Sequence, residues 1–191
     1  MITMTDTLDI KITKAKTSKL PQIDFDNLPF GKTFSDHMFT ADYENGEWKN
    51  FEILPFGDIG LSPAISALHY GQAFFEGLKA YLNVDGKITI FRPDQNAIRF
   101  NKSAERLCMP AISEKYFIGG LMALLNVDQD WIPTNPNNAL YIRPFMFATD
   151  EYVGIKASDN YRFIIFTCPV QQYYSAPVKV LISDKYVRAF P

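Results

Sequence analysis

Arg143 is the residue whose surroundings most clearly suggest chemistry, because it is the only charged residue in the apolar run 140–147. Alternation along a strand places Tyr141, Arg143 and Phe145 on one face. A guanidinium among aromatic rings requires an anionic partner or water, since burying it without either is costly. The residues alone leave two interpretations open. Arg143 is either a clamp for a substrate carboxylate or a structural residue that pairs with an acidic side chain or snorkels to solvent.

A second candidate anion site lies on a predicted helix, where Arg99 and Arg106 are seven residues apart with Ser103 between them. That spacing puts them on one helix face, where they could hold a phosphate. A solvated helix face produces the same pattern, so the spacing alone does not decide.

The two histidines give no sign of a metal site, because His37 and His69 lie on different predicted elements without ligand spacing. Asp36 and His37 could form a local pair, but we interpret His37 as a satisfied structural histidine. No glycine-rich dinucleotide or nucleotide loop is present. The motifs therefore name no reaction by themselves.

The composition is that of a globular chain: 191 residues, 47% of them hydrophobic, with a net charge of −2. The near balance of basic and acidic residues excludes the charge footprint of a nucleic-acid or anionic-membrane binder. No apolar stretch approaches the about 20 residues of a membrane span, and the amino terminus lacks the apolar segment of a secretory signal. With only two cysteines, Cys108 and Cys168, expected as reduced thiols, we expect a soluble cytoplasmic protein.

The elements that must position these residues are predicted from turn and helix signals. Asn45-Gly46 and Asp85-Gly86 indicate two hairpins. Helices are predicted over 62–70, 93–107 and 113–127, and strong strands over 139–148 and 161–169. Strands and helices in this order predict an α+β fold.

The predicted domain organisation has four parts. Residues 1–20 are expected to be a flexible arm, 21–170 a small α/β domain, 171–177 an interdomain loop, and 178–191 the first strand of a truncated second domain. Because so little of that second domain is present, we expect the chain to be a fragment.

Seven segments together resemble one family. They are FGKTFSDHM (30–38), ALHY (67–70), FEGLKAY (75–81), FRP with Asn96 and Arg99, LCMP (107–110), YIRP (141–144) and YVRA (186–189). In order and spacing they resemble the branched-chain amino acid aminotransferases, which are pyridoxal 5'-phosphate enzymes of fold type IV. The resemblance covers residues 21–191.

The resemblance implies transfer of the amino group of leucine, isoleucine or valine to 2-oxoglutarate, which gives glutamate and a branched 2-oxo acid. It implies a small α/β domain followed by a large pseudo-barrel domain, and an enzyme that is at least a homodimer. It also implies a site in which aromatic walls accept an isobutyl side chain and Arg143 receives the side-chain carboxylate of glutamate. The implied substrate-binding residues are Phe30, Tyr70 from the other subunit, Phe75, Tyr141, Arg143 and Tyr173.

The implied cofactor-binding residues are Arg99, for the phosphate of pyridoxal 5'-phosphate, and Arg188, in the strand that leads to the cofactor lysine. The resemblance implies that the family's Schiff-base lysine lies beyond Pro191, and no lysine here, Lys79 included, occupies its position. The resemblance therefore assigns no catalytic residue to this chain, which we expect to be inactive alone.

Two alternatives stay open. The chain could be a genuinely short, non-catalytic protein that binds a ligand or partner with the small-domain fold. It could also belong to another fold type IV enzyme, such as a D-amino acid aminotransferase or an aminodeoxychorismate lyase.

Overall fold

Eight strands in one sheet and three α-helices make up the part of the chain that the computed structural model describes, residues 8–172 and 176–187. The strands are β1 (Lys11–Ile12), β2 (His37–Glu44), β3 (Glu47–Pro55), β4 (Ala73–Phe75), β5 (Leu78–Leu82), β6 (Ile88–Ile90), β7 (Ala139–Ala148) and β8 (Tyr161–Val170). The helices are α1 (Ser66–Tyr70), α2 (Pro93–Arg106) and α3 (Glu114–Val127). The predicted α+β class is confirmed.

The sheet has the order β1-β3-β2-β8-β7-β5-β6, and β4 pairs with β7 beyond the end of β5. All pairings are antiparallel except that of β1 with β3. At its centre β7 pairs with β8 over ten residues, from Ala139↔Val170 to Ala148↔Tyr161. The strand that carries Arg143 is therefore held on both sides.

Both predicted hairpins are present. Asn45 and Gly46 have φ values of 55° and 86°, as a two-residue turn with left-handed backbone requires. At the second turn Gly86 has φ 73°, and the Asn83 side chain accepts hydrogen bonds from two backbone amides of the loop.

The helices α2 and α3 are confirmed, whereas α1 begins later than predicted. Ser113 caps α3 through a hydrogen bond from the Tyr116 amide. Ser62, the first residue of the predicted helix, lies in a turn instead, where its hydroxyl oxygen accepts a hydrogen bond from the Ala64 amide. Ile65 then pairs with Glu151 in an isolated bridge, so the helix starts only at Ser66.

The core lies between the sheet and the helices α2 and α3, and Phe163 of β8 is at its centre with no exposed surface. Its ring lies 5.3–6.3 Å from the rings of four aromatic neighbours, Phe39, Trp48, Phe100 and Phe117. No helix among the described residues is long and apolar enough to cross a membrane.

The amino-terminal segment, as far as the structure describes it (residues 8–20 of the flexible arm predicted over 1–20), is bonded to the sheet and to the start of β2. The strand β1 pairs with β3, the Ala15 amide donates to His37 Nε2 at 2.8 Å, and Ser18 and Lys19 donate to Asp36. The interpretation of His37 as a structural histidine is confirmed, because both ring nitrogens are hydrogen-bonded; Nδ1 bonds to Asp128 at 2.6 Å rather than to the adjacent Asp36.

Residues 178–187 were predicted to begin a strand of a second domain, but they form no strand here and are exposed. The rest of that predicted strand, up to Pro191, lies outside the described residues. The boundaries proposed at 170 and 177 remain predictions.

Candidate functional site

Arg143 lies on the half-buried face of β7 and is held there by two aromatic side chains. Its guanidinium carbon lies 4.1 Å from the centroid of the Phe75 ring, a cation–π contact. Its Nε and Nη2 donate to the hydroxyl oxygen of Tyr141 at 3.2 and 3.1 Å. Within residues 8–172 and 176–187 no carboxylate pairs with Arg143. The ion pair with an acidic side chain, which the structural interpretation includes, is therefore absent from the described residues.

Phe30 completes this group, because its ring lies 5.8 Å from that of Tyr141. Phe30 and Phe75 are 43% and 62% exposed, so the group faces solvent. We call these four residues the aromatic–arginine cluster: Phe30, Phe75, Tyr141 and Arg143. The structure thus brings together four of the six substrate-binding residues that the resemblance implied.

Arg99 of α2 is bound to Glu76, a carboxylate that the sequence analysis did not single out. Arg99 Nε and Nη2 donate to the two oxygens of Glu76, with Nη2–Oε2 at 2.8 Å. Asn96 Nδ2 and the Gly77 amide donate to the same carboxylate at 3.0 and 2.9 Å. Glu76 is only 6% exposed, whereas the Arg99 side chain is 67% exposed. The guanidinium is therefore fixed on one side and open to solvent on the other.

The electrostatics of Glu76 follow from these donors. Burial by itself would raise the pKa of Glu76, but the hydrogen bonds from Arg99, Asn96 and the Gly77 amide outweigh it, and the pKa lies below its usual range. Glu76 therefore remains a carboxylate at neutral pH and keeps its bonds to Arg99.

Gly77 provides the space for Tyr141. A Cβ added at Gly77 would lie 2.5 Å from Tyr141 Oη, closer than real Cβ atoms come, and 3.2 Å from Cζ, which is a tight contact. Tyr141 can thus place its hydroxyl beside Arg143 only because residue 77 has no side chain. The sequence does contain a signal for this pair of residues. Over 73–82 the pattern is otherwise strand-like, and Glu76-Gly77 interrupts it with an acidic residue followed by a glycine.

The other implied site residues lie elsewhere. Tyr70 ends α1, is 45% exposed and lies beside His69, not within the contacts of the aromatic–arginine cluster. The resemblance implied that Tyr70 contributes to the substrate site of the other subunit, and the structure of a single chain does not test this. Tyr173 and Arg188 lie outside the described residues, and so does Pro191. The position of the Schiff-base lysine beyond Pro191 therefore stays a prediction.

The cysteines are not reactive groups of this site. Burial raises the pKa of Cys168 to about 11, although Arg143 lowers it somewhat, so the thiol stays protonated. Cys108 is exposed, and neither cysteine forms a disulfide. No cluster of His, Cys, Asp or Glu in the described ranges could hold a metal ion.

Acid is expected to destabilise the fold through three carboxylates. For Asp36, Glu76 and Asp150, burial opposes ionisation but hydrogen bonds to the carboxylate outweigh it, so each pKa is lowered. A lowered pKa contributes stability above the unfolded value of about 4, and this stability is lost as pH falls through the folded pKa. We expect the urea midpoint to be flat above about pH 5 and to fall below it. A urea midpoint that stays constant down to about pH 3 would contradict these assignments. In Glu76→Gln the midpoint should decrease less steeply as the pH falls.

Curated proteins that share one activity in their names are similar to this chain. No family model matches the chain. It is 45% identical over 168 residues to branched-chain-amino-acid transaminase 1 of Bacillus subtilis, a match that covers 85% of this chain and 47% of that protein. It is 44% identical over 170 residues to a branched-chain-amino-acid aminotransferase of Mycolicibacterium smegmatis, covering 86% and 46%.

Solved structures show the same fold. The branched-chain amino acid aminotransferase of Escherichia coli matches with a TM-score of 0.54 and 24% identity, over 74% of this chain and 42% of that one. The enzyme of Thermoproteus uzoniensis matches with a TM-score of 0.55 and 18% identity, over 73% and 43%. At these identities the likeness shows the fold alone. The chain is therefore a homologue of the branched-chain amino acid aminotransferases, has the fold of that family, and spans about half the length of the curated relatives it matches.

Proposed function

We propose that this chain is the amino-terminal portion of a pyridoxal-phosphate-dependent branched-chain aminotransferase. The full protein would move the amino group of leucine, isoleucine or valine to 2-oxoglutarate, giving glutamate and a branched 2-oxo acid. The observation that carries this proposal is the aromatic–arginine cluster, in a chain related at 45% identity to a protein named as such a transaminase.

The cluster suits a site that must accept two unlike side chains. Aromatic walls such as Phe30 and Phe75 suit an apolar isobutyl group. The Arg143 guanidinium suits a carboxylate, to which it can donate charge-assisted hydrogen bonds. When an apolar side chain is bound, contacts with Phe75 and Tyr141 keep the guanidinium from being buried without partners.

Arg99 fits the phosphate of the cofactor by the chemistry of its donors. Its guanidinium is two-thirds exposed and is oriented by Glu76, and such groups bind phosphate well. Arg188, outside the described residues, is proposed for the same cofactor site. Bound pyridoxal phosphate supplies the electron sink for loss of the α-proton. We expect the lysine that anchors the cofactor beyond Pro191, so the 191-residue chain alone should be inactive.

We further propose a cytoplasmic homodimer or higher homo-oligomer. In it, Tyr70 of one subunit would line the site of the other together with Tyr173. Tyr70 is 45% exposed and lies outside the cluster of its own chain, as such a role requires.

The test uses the full-length protein that contains this chain. We expect it to form glutamate from leucine and 2-oxoglutarate when pyridoxal phosphate is present. In Arg143→Gln, kcat/KM for 2-oxoglutarate should fall about 10–100-fold, because charge-assisted hydrogen bonds to the carboxylate are lost. The half-reaction with leucine should change by less than about threefold, since an isobutyl group makes no such bond.

The matched control is Lys102→Gln, an exposed basic residue on α2, which should leave both half-reactions unchanged. Absence of glutamate formation by the wild-type protein would contradict the proposal. Activity with D-alanine in place of leucine would favour the D-amino acid aminotransferase alternative.

A further inference from the structure

We propose that the dipeptide Glu76-Gly77 positions both anion-binding groups of the site at once. Glu76 orients Arg99, and Gly77 admits the Tyr141 hydroxyl that orients Arg143. This inference rests on the proposed function, because it takes Arg99 as the phosphate ligand and Arg143 as the carboxylate ligand.

The contacts of Glu76 suit a positioning role. Arg99 is a long side chain at a largely exposed position, and in water it would sample many rotamers. Two parallel bonds to one carboxylate select a single orientation of the guanidinium plane. The same carboxylate also accepts from Asn96 and from the Gly77 amide. It is therefore fully engaged within the chain and acts on a ligand only through Arg99.

Gly77 acts through space, not through backbone freedom. The position of its missing Cβ lies 2.5 Å from Tyr141 Oη. That oxygen accepts both bonds from Arg143, so a displacement of the phenol would move the guanidinium as well. A methyl group at residue 77 therefore alters Arg143 without touching it.

The dipeptide is itself held tightly against β7. On one side Phe75 pairs with Phe145, and on the other Leu78 pairs with Ile142. Between them the Glu76 amide donates to the Pro144 carbonyl at 2.8 Å. One clamped peptide unit thus sets where the phosphate-binding and carboxylate-binding arginines lie relative to each other.

The first experiment titrates the full-length apoprotein with pyridoxal phosphate and, separately, with pyridoxal, which lacks the phosphate. In Glu76→Gln, the dissociation constant for pyridoxal phosphate should rise about tenfold, since Arg99 loses a charged partner. The dissociation constant for pyridoxal should change by less than about twofold. Asn96→Ala keeps both carboxylate–guanidinium bonds and should give a smaller rise, about threefold.

The second experiment measures the KM for 2-oxoglutarate in a double-mutant cycle. Gly77→Ala should raise this KM about tenfold and leave pyridoxal phosphate affinity within about threefold. Tyr141→Phe removes the atom nearest to the new methyl group. In that background Gly77→Ala should therefore add little, which is the coupling expected of contacting residues.

Glu105→Gln, an exposed acidic residue on α2, is the control and should alter none of these constants. Equal losses of pyridoxal phosphate and pyridoxal affinity in Glu76→Gln would overturn the Glu76 half, because they would indicate general damage. Additive effects of Gly77→Ala and Tyr141→Phe would overturn the Gly77 half. If the wild-type protein lacks transaminase activity, the proposed function fails, but the two titrations still test Glu76.

Discussion

Replacement of Phe163 by alanine is expected to lower the free energy of unfolding by about 3–5 kcal/mol. The ring is fully buried in β8 and meets Phe39 and Phe100 in edge-to-face contacts. Its removal leaves a cavity between the sheet and the helices that the paired strands on both sides of β8 cannot close. Urea unfolding at neutral pH measures the change.

Phe91 provides the matched control, because its side chain is 85% exposed. Phe91→Ala should change the free energy of unfolding by no more than about 0.5 kcal/mol. If the two variants unfolded at the same urea concentration, Phe163 would not occupy the centre of the core.

Removal of the Asp128 carboxylate in Asp128→Ala is expected to lower the free energy of unfolding by about 2–4 kcal/mol, because two buried donors lose their acceptor. Asp128 is 3% exposed and accepts from the backbone amide of His37 at 3.0 Å and from its Nδ1 at 2.6 Å. Truncation leaves both donors buried without an acceptor. Urea unfolding again measures the loss.

The exposed Asp130, two residues away, is the control, and Asp130→Ala should be nearly silent. Asp128→Ala should also have a local effect that hydrogen exchange can measure. His37 Nε2 accepts from the Ala15 amide, so loosening of His37 should speed hydrogen exchange at Ala15. Unchanged exchange at Ala15 in Asp128→Ala would show that the histidine does not hold the amino-terminal segment.

Short sequence patterns correctly predicted the elements that depend only on residues nearby in the chain. The Asn45-Gly46 turn, the Ser113 cap and the apolar periodicity of α2 each lie within a few residues of the structure that they determine. The start of α1 was misplaced because a distant segment decides it. Ile65 pairs with Glu151, and the Ser66 amide donates to the Asp150 carbonyl.

The same distinction explains the site. Strand alternation predicted that Tyr141 and Arg143 share a face, and they do. The contact of Arg143 with Phe75 depends on the register of β4 on β7, which no local pattern contains. The local pair of His37 with Asp36 that the sequence left possible does not form, because successive residues at a strand point to opposite sides. Its acceptor, Asp128, lies 91 residues away.

The position of β8 between β2 and β7 has a consequence for synthesis on the ribosome. The side chains of Asp42 in β2 and Arg162 in β8 bond across the sheet although 120 residues separate them. Chains dominated by such distant pairings fold slowly. The hairpin β2–β3 is complete early, yet one edge of β2 stays unpaired until β8 has emerged. During that interval the nascent chain exposes a strand edge that can pair with other chains, and we expect chaperones to protect it there.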